Sequence, residues 1–283
     1  LIGSIGSIGR FSQAGRAGRV RRSLMCGRIS QYRDPLRYAQ HLGLSDPLML
    51  FDAADRRPGY NLSPGTHPLA IYPDQTLRAI HWGYCPDWAR VQHLPQTINA
   101  RAETAAHARY FKALWKTGRV LVPADGWFEW RVEAAPDTDT GDDAVQSAVQ
   151  SALQSTTRST TQGTRQGAGT IRQPYFVRLK SDAPMYFAAL SSVRGTAPQT
   201  EGMGLVIVTA TADAGLIDVH DRRPLVFAPD AARRWLDPAL PPDELQQLAR
   251  GACVPAGRFR WHRVSPEVDR TLNDEPRLIE ALD

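Results

Sequence analysis

An α+β domain built on a curved, largely antiparallel sheet system is what this sequence predicts, and two observations predict it. Short runs rich in β-branched and aromatic residues, bounded by Pro, Gly and Asp, recur along the chain. Helical patterns are fewer and do not alternate regularly with those runs, which argues against a doubly wound parallel sheet. A length of 283 residues with 42% hydrophobic content is enough for one sizeable core.

The first element in order is the helical pattern "DPLRYAQHLGL" at 34–44, opened by Asp and Pro. "PLAIYPD" at 68–74 and "LRAIHWGY" at 77–84 read as strands, and "ARAETAAHARYFKALWKTG" at 100–118 reads as a helix. Strand character returns in "GRVLVPADGWFEWRV" at 118–132 and, beyond an interruption, in "PYFVRLK" at 174–180, "PMYFAALSS" at 184–192 and "GLVIVTATA" at 204–212. Helical patterns follow at "DAGLIDVH" (213–220), "PDAARRWLD" (229–237) and "PPDELQQLARGA" (241–252).

Two segments stand apart. Residues 1–24 carry a Gly-Ser-Ile repeat and five Arg, with no Asp or Glu. A transit-type peptide, a basic arm for DNA phosphates and a stretch upstream of the true start all fit that composition. The last is the expectation adopted, with the native chain opening at Met25 and the leader disordered, non-native or cleaved. The second segment, at about 133–172, is rich in Ser, Thr, Gln, Ala and Gly and has no aromatic residue. Such a stretch cannot bury enough apolar area to offset its ordering entropy. It reads as a disordered surface insertion in one domain spanning 25–283, with a marginal helix near 143–155; an interdomain linker is the alternative.

Composition narrows the function classes. The net charge of +5 suits an anionic partner such as nucleic acid, and a mildly basic enzyme equally well. Cys26, Cys85 and Cys253 are odd in number and widely spaced, so neither a disulfide framework nor a zinc ribbon is indicated. A reducing cytoplasm fits that usage. No apolar run approaches the roughly 18–20 residues that span a bilayer, so no membrane association is expected. Motifs for serine hydrolases, zinc proteases and P-loop nucleotide binding are absent.

Reactive side chains concentrate in four stretches: "MCGR" at 25–28, "INARAET" at 98–104, "PADGWFEW" at 123–130 and "VHDRRPLVF" at 219–227. Taken singly, each has a plain structural explanation. Asn99 would cap the following helix, Glu129 would be an exposed strand residue, and His220 would satisfy a helix C-terminus. Against this, Glu129 lies among Trp127, Phe128 and Trp130, surroundings that exclude water and raise a carboxyl pKa toward neutrality. That suits an acid/base residue.

The ordered series "MCGR", "YNLSPGT", "WGYCPDWA", "INARAETA", "PADGWFEW", "VTATADAGLIDVHDRRPLVF" and "CVPAGRFRWHRVS" resembles the SRAP family, the SOS-response-associated peptidases. The likeness runs from Met25 to about Ser265, broken by the insertion. It implies a single α+β SRAP fold with a barrel-like core flanked by helices. It also implies a cytoplasmic bacterial protein, working at the nucleoid as a monomer, that recognises abasic sites in single-stranded DNA and shields them by a covalent crosslink. In that family the initiator Met is removed, which would make Cys26 the N-terminus.

The chemistry follows from the groups. An abasic deoxyribose opens to an aldehyde, and a free α-amine, with a pKa of about 7.7–8.0, condenses with it to an imine. A thiol on the same residue then adds to the imine carbon and closes a thiazolidine ring, which only an N-terminal Cys can form. No metal or organic cofactor is required. Carried over residue by residue, the resemblance implies that Asn99 positions the amine or the opened sugar, and that Glu129 is the general acid/base. His220 assists ring opening and shuttles protons, as imidazoles do near neutral pH. Arg28 and Arg101 would bind flanking phosphates, which set register without reading sequence. Asn61, Pro64 and Trp88 would line the DNA channel, Trp88 by stacking against bases.

Where the family pattern has two adjacent tryptophans, Trp88 is followed here by Ala89, which removes one expected stacking surface. With anything attached before Cys26 its amine is blocked, so the leader would have to be absent or removed, self-processing being one route. Three other readings compete. An N-terminal-nucleophile amidohydrolase would use the Cys26 thiolate with its own amine as base. A Cys-His thiol protease would combine Cys26, Asn99 and His220. A noncatalytic single-stranded-DNA binder results if the leader stays.

Overall fold

The computed structural model describes residues 26–44, 50–51, 58–135, 169–194, 198–212 and 220–282. The leader at 1–24, the body of the insertion with its expected helix, and nearly all of the expected helix at 213–220 lie outside the described residues.

Two open sheets carry the fold. In the smaller, β1 (Ile29–Gln31), β3 (Gly59–Leu62), β8 (Gly126–Ala134), β9 (Thr170–Leu179) and β14 (Phe259–Arg263) lie in the order β14-β9-β8-β1-β3, all antiparallel. The larger contains β2 (Leu50–Phe51), β4 (Leu69–Ile71), β5 (Leu77–Ala79), β6 (Asn99–Arg101), β7 (Arg119–Ala124), β10 (Met185–Ser191), β11 (Leu205–Thr211), β12 (Arg222–Pro224) and β13 (Val226–Phe227). Among its described strands, the β2–β5 and β6–β11 pairings are parallel and the rest antiparallel. The antiparallel expectation holds, but the sheets do not close into a barrel.

Helices α1 (Pro35–Leu42), α2 (Asp87–Val91), α3 (Lys112–Thr117), α4 (Pro229–Leu236) and α5 (Pro242–Gly251) complete the described elements, with short 3₁₀ turns near the C-terminus. Asp34 caps α1 by accepting from the Leu36 N–H, and Gly43 ends it in the left-handed region at φ 77°.

Apolar periodicity assigns the layers. Tyr38, Leu42, Trp115, Trp235 and Leu245 of the helices pack on the outer face of the larger sheet against Leu121, Tyr186 and Val208. Between the sheets, Ile29, Trp127, Val177 and Phe259 of the smaller meet Val122, Phe187 and Ile207 of the larger. The alternate residues Phe128 and Phe176 point outward, under Val264, Val268 and Leu278 of the C-terminal segment. β7 and β10 are buried along their whole length because both their faces are covered, which is why they read as unbroken apolar runs.

Three expectations change. The stretch at 100–118 is helical only over Lys112–Thr117, because Asn99–Arg101 is drawn into the larger sheet beside β11. Asn99 therefore begins a strand and caps no helix. The run at 118–132 is two strands in two sheets, divided at Asp125. The insertion is shorter at its ends than expected, since β8 continues to Ala134 and β9 begins at Thr170.

Asp125 holds that corner. Its buried carboxylate accepts from the Tyr38 hydroxyl at 2.6 Å, the Tyr32 N–H at 2.7 Å and the Arg33 N–H at 3.2 Å, and it pairs with the Arg33 guanidinium. At Gly126 a Cβ would sit 2.1 Å from the Phe176 ring, so the chain turns there with no side chain. Asp125→Ala strands a buried hydroxyl, two N–H groups and half of an ion pair, and is expected to destabilise the fold by about 3 kcal/mol. Tyr38→Phe should cost about 1 kcal/mol. Urea midpoints at unchanged slope measure both.

Candidate functional site

The register of the smaller sheet builds the site. Ile29 pairs with Trp127, Ser30 with Gly126, and the Phe128 N–H donates to Arg28 O at 3.0 Å. Extending that antiparallel register brings the residues before β1 alongside Glu129. There the Cys26 backbone N–H donates to Glu129 Oε1 at 3.1 Å, and both residues are buried, Cys26 at 0% and Glu129 at 4% exposure.

Burial governs the protonation of this pair. Loss of hydration pushes the Glu129 carboxyl up to about 8, with Asp221 adding to the rise and hydrogen bonds from Cys26 opposing it. Burial likewise raises the Cys26 thiol well above its usual range, helped by Glu129 and Asp221, while Arg222 works in the other direction. At neutral pH the site thus holds a protonated carboxyl against a neutral thiol. Cys26 also has φ 46°, the left-handed region that costs a residue with a Cβ about 1–2 kcal/mol.

Asn99 and Arg101 approach from the other sheet. Ala100 points into the helix-covered core, whereas Asn99 lies beside Ile207 of the core between the sheets, so Asn99 and Arg101 share the face of β6 turned toward β8. Arg101 is exposed. His220 directly precedes the two charges that act on Cys26, and its Nδ1 lies 2.9 Å from Asp221 Oδ1 and 3.0 Å from the Arg222 N–H. The neutral ring with Nδ1 bare accepts from Arg222, and the ring protonated there donates to Asp221, so the imidazole has a partner in either state.

The remaining expected residues lie in the framework and at the surface around this pair. The Arg28 guanidinium, lowered in pKa by burial, donates to Asn61 Oδ1 at 2.8 Å and to the carbonyls of Val268 and Asp269, and lies over Trp130. Asn61, 2% exposed, also binds the carbonyls of Val268, Arg270 and Asn273, tying β3 to the C-terminal segment. Pro64 forms the turn closed by Thr66 N–H to Ser63 O, with Gly65 at φ 93°, so the chain reverses there as a Pro-Gly pair dictates. Trp88 is half-exposed, with the Arg109 guanidinium 3.8 Å from its ring and Tyr110 at its edge. Ala89 is wholly buried, so that position offers no stacking surface in this chain.

Sequence reasoning passed over Glu103, Tyr175, Asp221 and Arg222. Glu103 holds Arg222 through both carboxylate oxygens, at 2.8 and 3.1 Å, and Thr209 supplies two further acceptors. Tyr175 stands directly across from Glu129 on β9. The Asp-Arg-Arg run after His220 was the available signal for Asp221 and Arg222; nothing local marked Tyr175. Among the described residues no group of three or more His, Cys, Asp or Glu could hold a metal ion, the three cysteines are free thiols, and no helix is long and apolar enough to cross a membrane.

A thiol and a proton-holding carboxyl are thus buried together at the edge of a two-sheet α+β core, just before its first strand. The chain belongs to the SRAP family, whose profile, described as SOS response associated peptidase, matches residues 25–146 and 164–271. It is 36% identical over 266 residues to abasic site processing protein YedK of Escherichia coli, covering 91% of this chain and 100% of that one. Abasic site processing protein YoaM of Bacillus subtilis is 27% identical, at 91% and 98% coverage. Among solved structures, a phage-related protein from Bordetella bronchiseptica is similar with a TM-score of 0.61 and 34% identity, over 84% of this chain and 94% of that one.

The Glu129 carboxyl supplies a stability test. Its folded pKa of about 8 lies above the unfolded value, so between about pH 4.5 and 8 the native state binds more protons than the unfolded one. Stability should therefore fall as pH rises through that window, by up to about 1.4 kcal/mol per unit, and level off above it. Glu129→Gln is expected to remove this slope and to be the more stable protein at pH 8. Denaturant titrations at several pH values measure the difference.

Proposed function

We propose that this protein senses abasic sites in single-stranded DNA and crosslinks to them through Cys26 once that residue is the N-terminus. The observation that carries the reading is the 3.1 Å contact between the Cys26 nitrogen and the Glu129 carboxyl in a buried site. The family membership and the names of the relatives support the same substrate.

With residue 25 gone, the nitrogen beside Glu129 is an amine. It adds to the aldehyde carbon of the ring-opened sugar, and the protonated Glu129 gives its proton to the departing hydroxyl and recovers one from nitrogen, so water leaves and an imine forms. The Cys26 sulfur then bonds to the imine carbon while the thiol proton passes to nitrogen. Aldehyde plus aminothiol gives thiazolidine plus one water, with no oxidant and no metal. The ring removes the imine that would promote β-elimination, so the strand stays intact. Asn99 orients the opened sugar from the opposing sheet, and His220 moves protons during ring opening. Arg101 holds a flanking phosphate, Trp88 stacks against unpaired bases, and Pro64 shapes the channel wall. Arg28 and Asn61 fix the segment that runs from Cys26 into β1, and a phosphate would meet only the guanidinium donors that Arg28 has left over.

The left-handed φ of Cys26 favours loss of whatever precedes it, because the dihedral is defined by the preceding carbonyl and its strain disappears when that bond is cut. Self-processing assisted by Glu129 is the corresponding proposal for how a longer chain matures.

Intact mass spectrometry of a chain beginning at Cys26, mixed with a single-stranded oligonucleotide carrying one abasic site, tests the reading. The expected product has the summed masses less one water. Cys26→Ala and Cys26→Ser keep the amine but lack the thiol, so each should bind the oligonucleotide and give no stable adduct, only a labile imine trapped by borohydride. A heat-stable adduct of the Ala variant would refute the thiazolidine. No adduct from the Cys26 chain, with release of an acyl product from an amide substrate, would favour the amidohydrolase.

A further inference from the structure

The strand that carries Glu129 places a second charged side chain on the same face. Along β8, Trp127 lies in the core between the sheets, Glu129 is buried at its edge, and Arg131 is exposed. The register sets Glu129 opposite Tyr175 and Arg131 opposite Gln173, so Arg131 stands one pleat, about 7 Å, further toward solvent. It has no hydrogen-bond or ion-pair partner among the described residues.

That freedom is unusual for its surroundings. Glu133, the next residue on the same face and the natural partner for Arg131, is instead engaged across the sheet by Arg263 at 2.6 Å and by the Tyr175 hydroxyl. Arg222 is held by Glu103, Arg28 by Asn61 and two carbonyls, and Arg172 lies over the Trp130 ring. On the strands that carry Glu129 and Asn99, the exposed and uncommitted guanidiniums are Arg131 on one sheet and Arg101 on the other.

We propose that Arg131 binds a backbone phosphate on one side of the lesion while Arg101 binds one on the other, so that the two sheets clamp the strand across the Cys26–Glu129 site. The proposal rests on the DNA reading above. A free guanidinium fork recognises phosphate through two parallel charge-assisted hydrogen bonds and carries no sequence information, which suits a lesion that has lost its base. A clamp from opposite walls also stops the sugar from sliding along the strand axis, which a single contact cannot do.

The test uses the full chain and a single-stranded oligonucleotide with one tetrahydrofuran abasic analogue, which lacks the aldehyde and so reports noncovalent contacts alone. Arg131→Gln should weaken binding roughly fivefold at low salt and reduce the slope of log K against log salt by about 0.7, the share of one phosphate on a single strand. Arg131→Lys should restore most of the slope. Replacing phosphates one at a time by methylphosphonate should abolish the Arg131→Gln effect at one position, and the Arg101→Gln effect at a position on the other side of the lesion. An unchanged slope, a loss that persists with every methylphosphonate, or coupling of both arginines to the same phosphate would overturn the clamp. Wild-type protein that fails to bind the oligonucleotide at all would overturn it together with the DNA reading. Normal wild-type binding with an indistinguishable Arg131→Gln would overturn the clamp alone.

Discussion

Keeping the Glu129 carboxyl out of water, with the Cys26 nitrogen as its close partner, is the constraint on which the rest of the structure depends. An ionised carboxylate in that position would cost several kcal/mol, and the group avoids the cost by holding its proton to about pH 8. The exclusion of water is a product of register. Trp127 and Ile29 enter the core between the sheets while Phe128 turns outward beneath the C-terminal segment. A slip of one residue between β1 and β8 would send Trp127 and Glu129 to the outer face. The packing that buries the aromatic residues therefore also aims the carboxyl at Cys26, and neither can be changed alone.

The same logic explains which parts of the fold were legible in the sequence. Strands covered on both faces, such as β7 and β10, announce themselves as unbroken apolar runs. Helices with a cap at the start, such as α1, do so by their punctuation. What the pattern cannot carry is a partner distant in the chain. Asn99–Arg101 has the composition of a helix start, and it becomes a strand because β11, more than a hundred residues later, pairs with it in parallel. One continuous run at 118–132 becomes two strands in two sheets because Asp125 finds Tyr38 and Arg33 far upstream, and local periodicity is blind to that corner.

The site was legible to a similar depth. Glu129 could be singled out because its neighbours in sequence are aromatic, although in the strand Trp127 alone of the three shares its face, while Phe128 and Trp130 turn to the other. Cys26 stood out by the aminothiol chemistry that a cysteine at an N-terminus would have. The supporting groups were not legible, because each is defined by a contact across the molecule. Tyr175 matters through a pairing register, Glu103 through a grip on Arg222 more than a hundred residues away, and Asn61 through carbonyls near the C-terminus. Arg28 illustrates the reverse case. Its position next to Cys26 suggests a phosphate ligand, yet most of its donors brace β1 against the C-terminal segment.

That distinction decides how the net charge of +5 should be used. Composition alone counts every arginine as an attraction for nucleic acid, but an arginine already bonded to carbonyls or a carboxylate contributes little at a phosphate, because it would have to give up contacts of similar strength. Arg28, Arg119 and Arg222 are of that kind, and Arg33, Arg178 and Arg260 share Asp125 and Asp182 among them. The field that steers a DNA strand is therefore set by where guanidiniums remain free, not by how many there are. Among the described residues, two guanidiniums without a partner, Arg101 and Arg131, lie on the very strands that bear Asn99 and Glu129, so the charge left available is concentrated beside the buried pair.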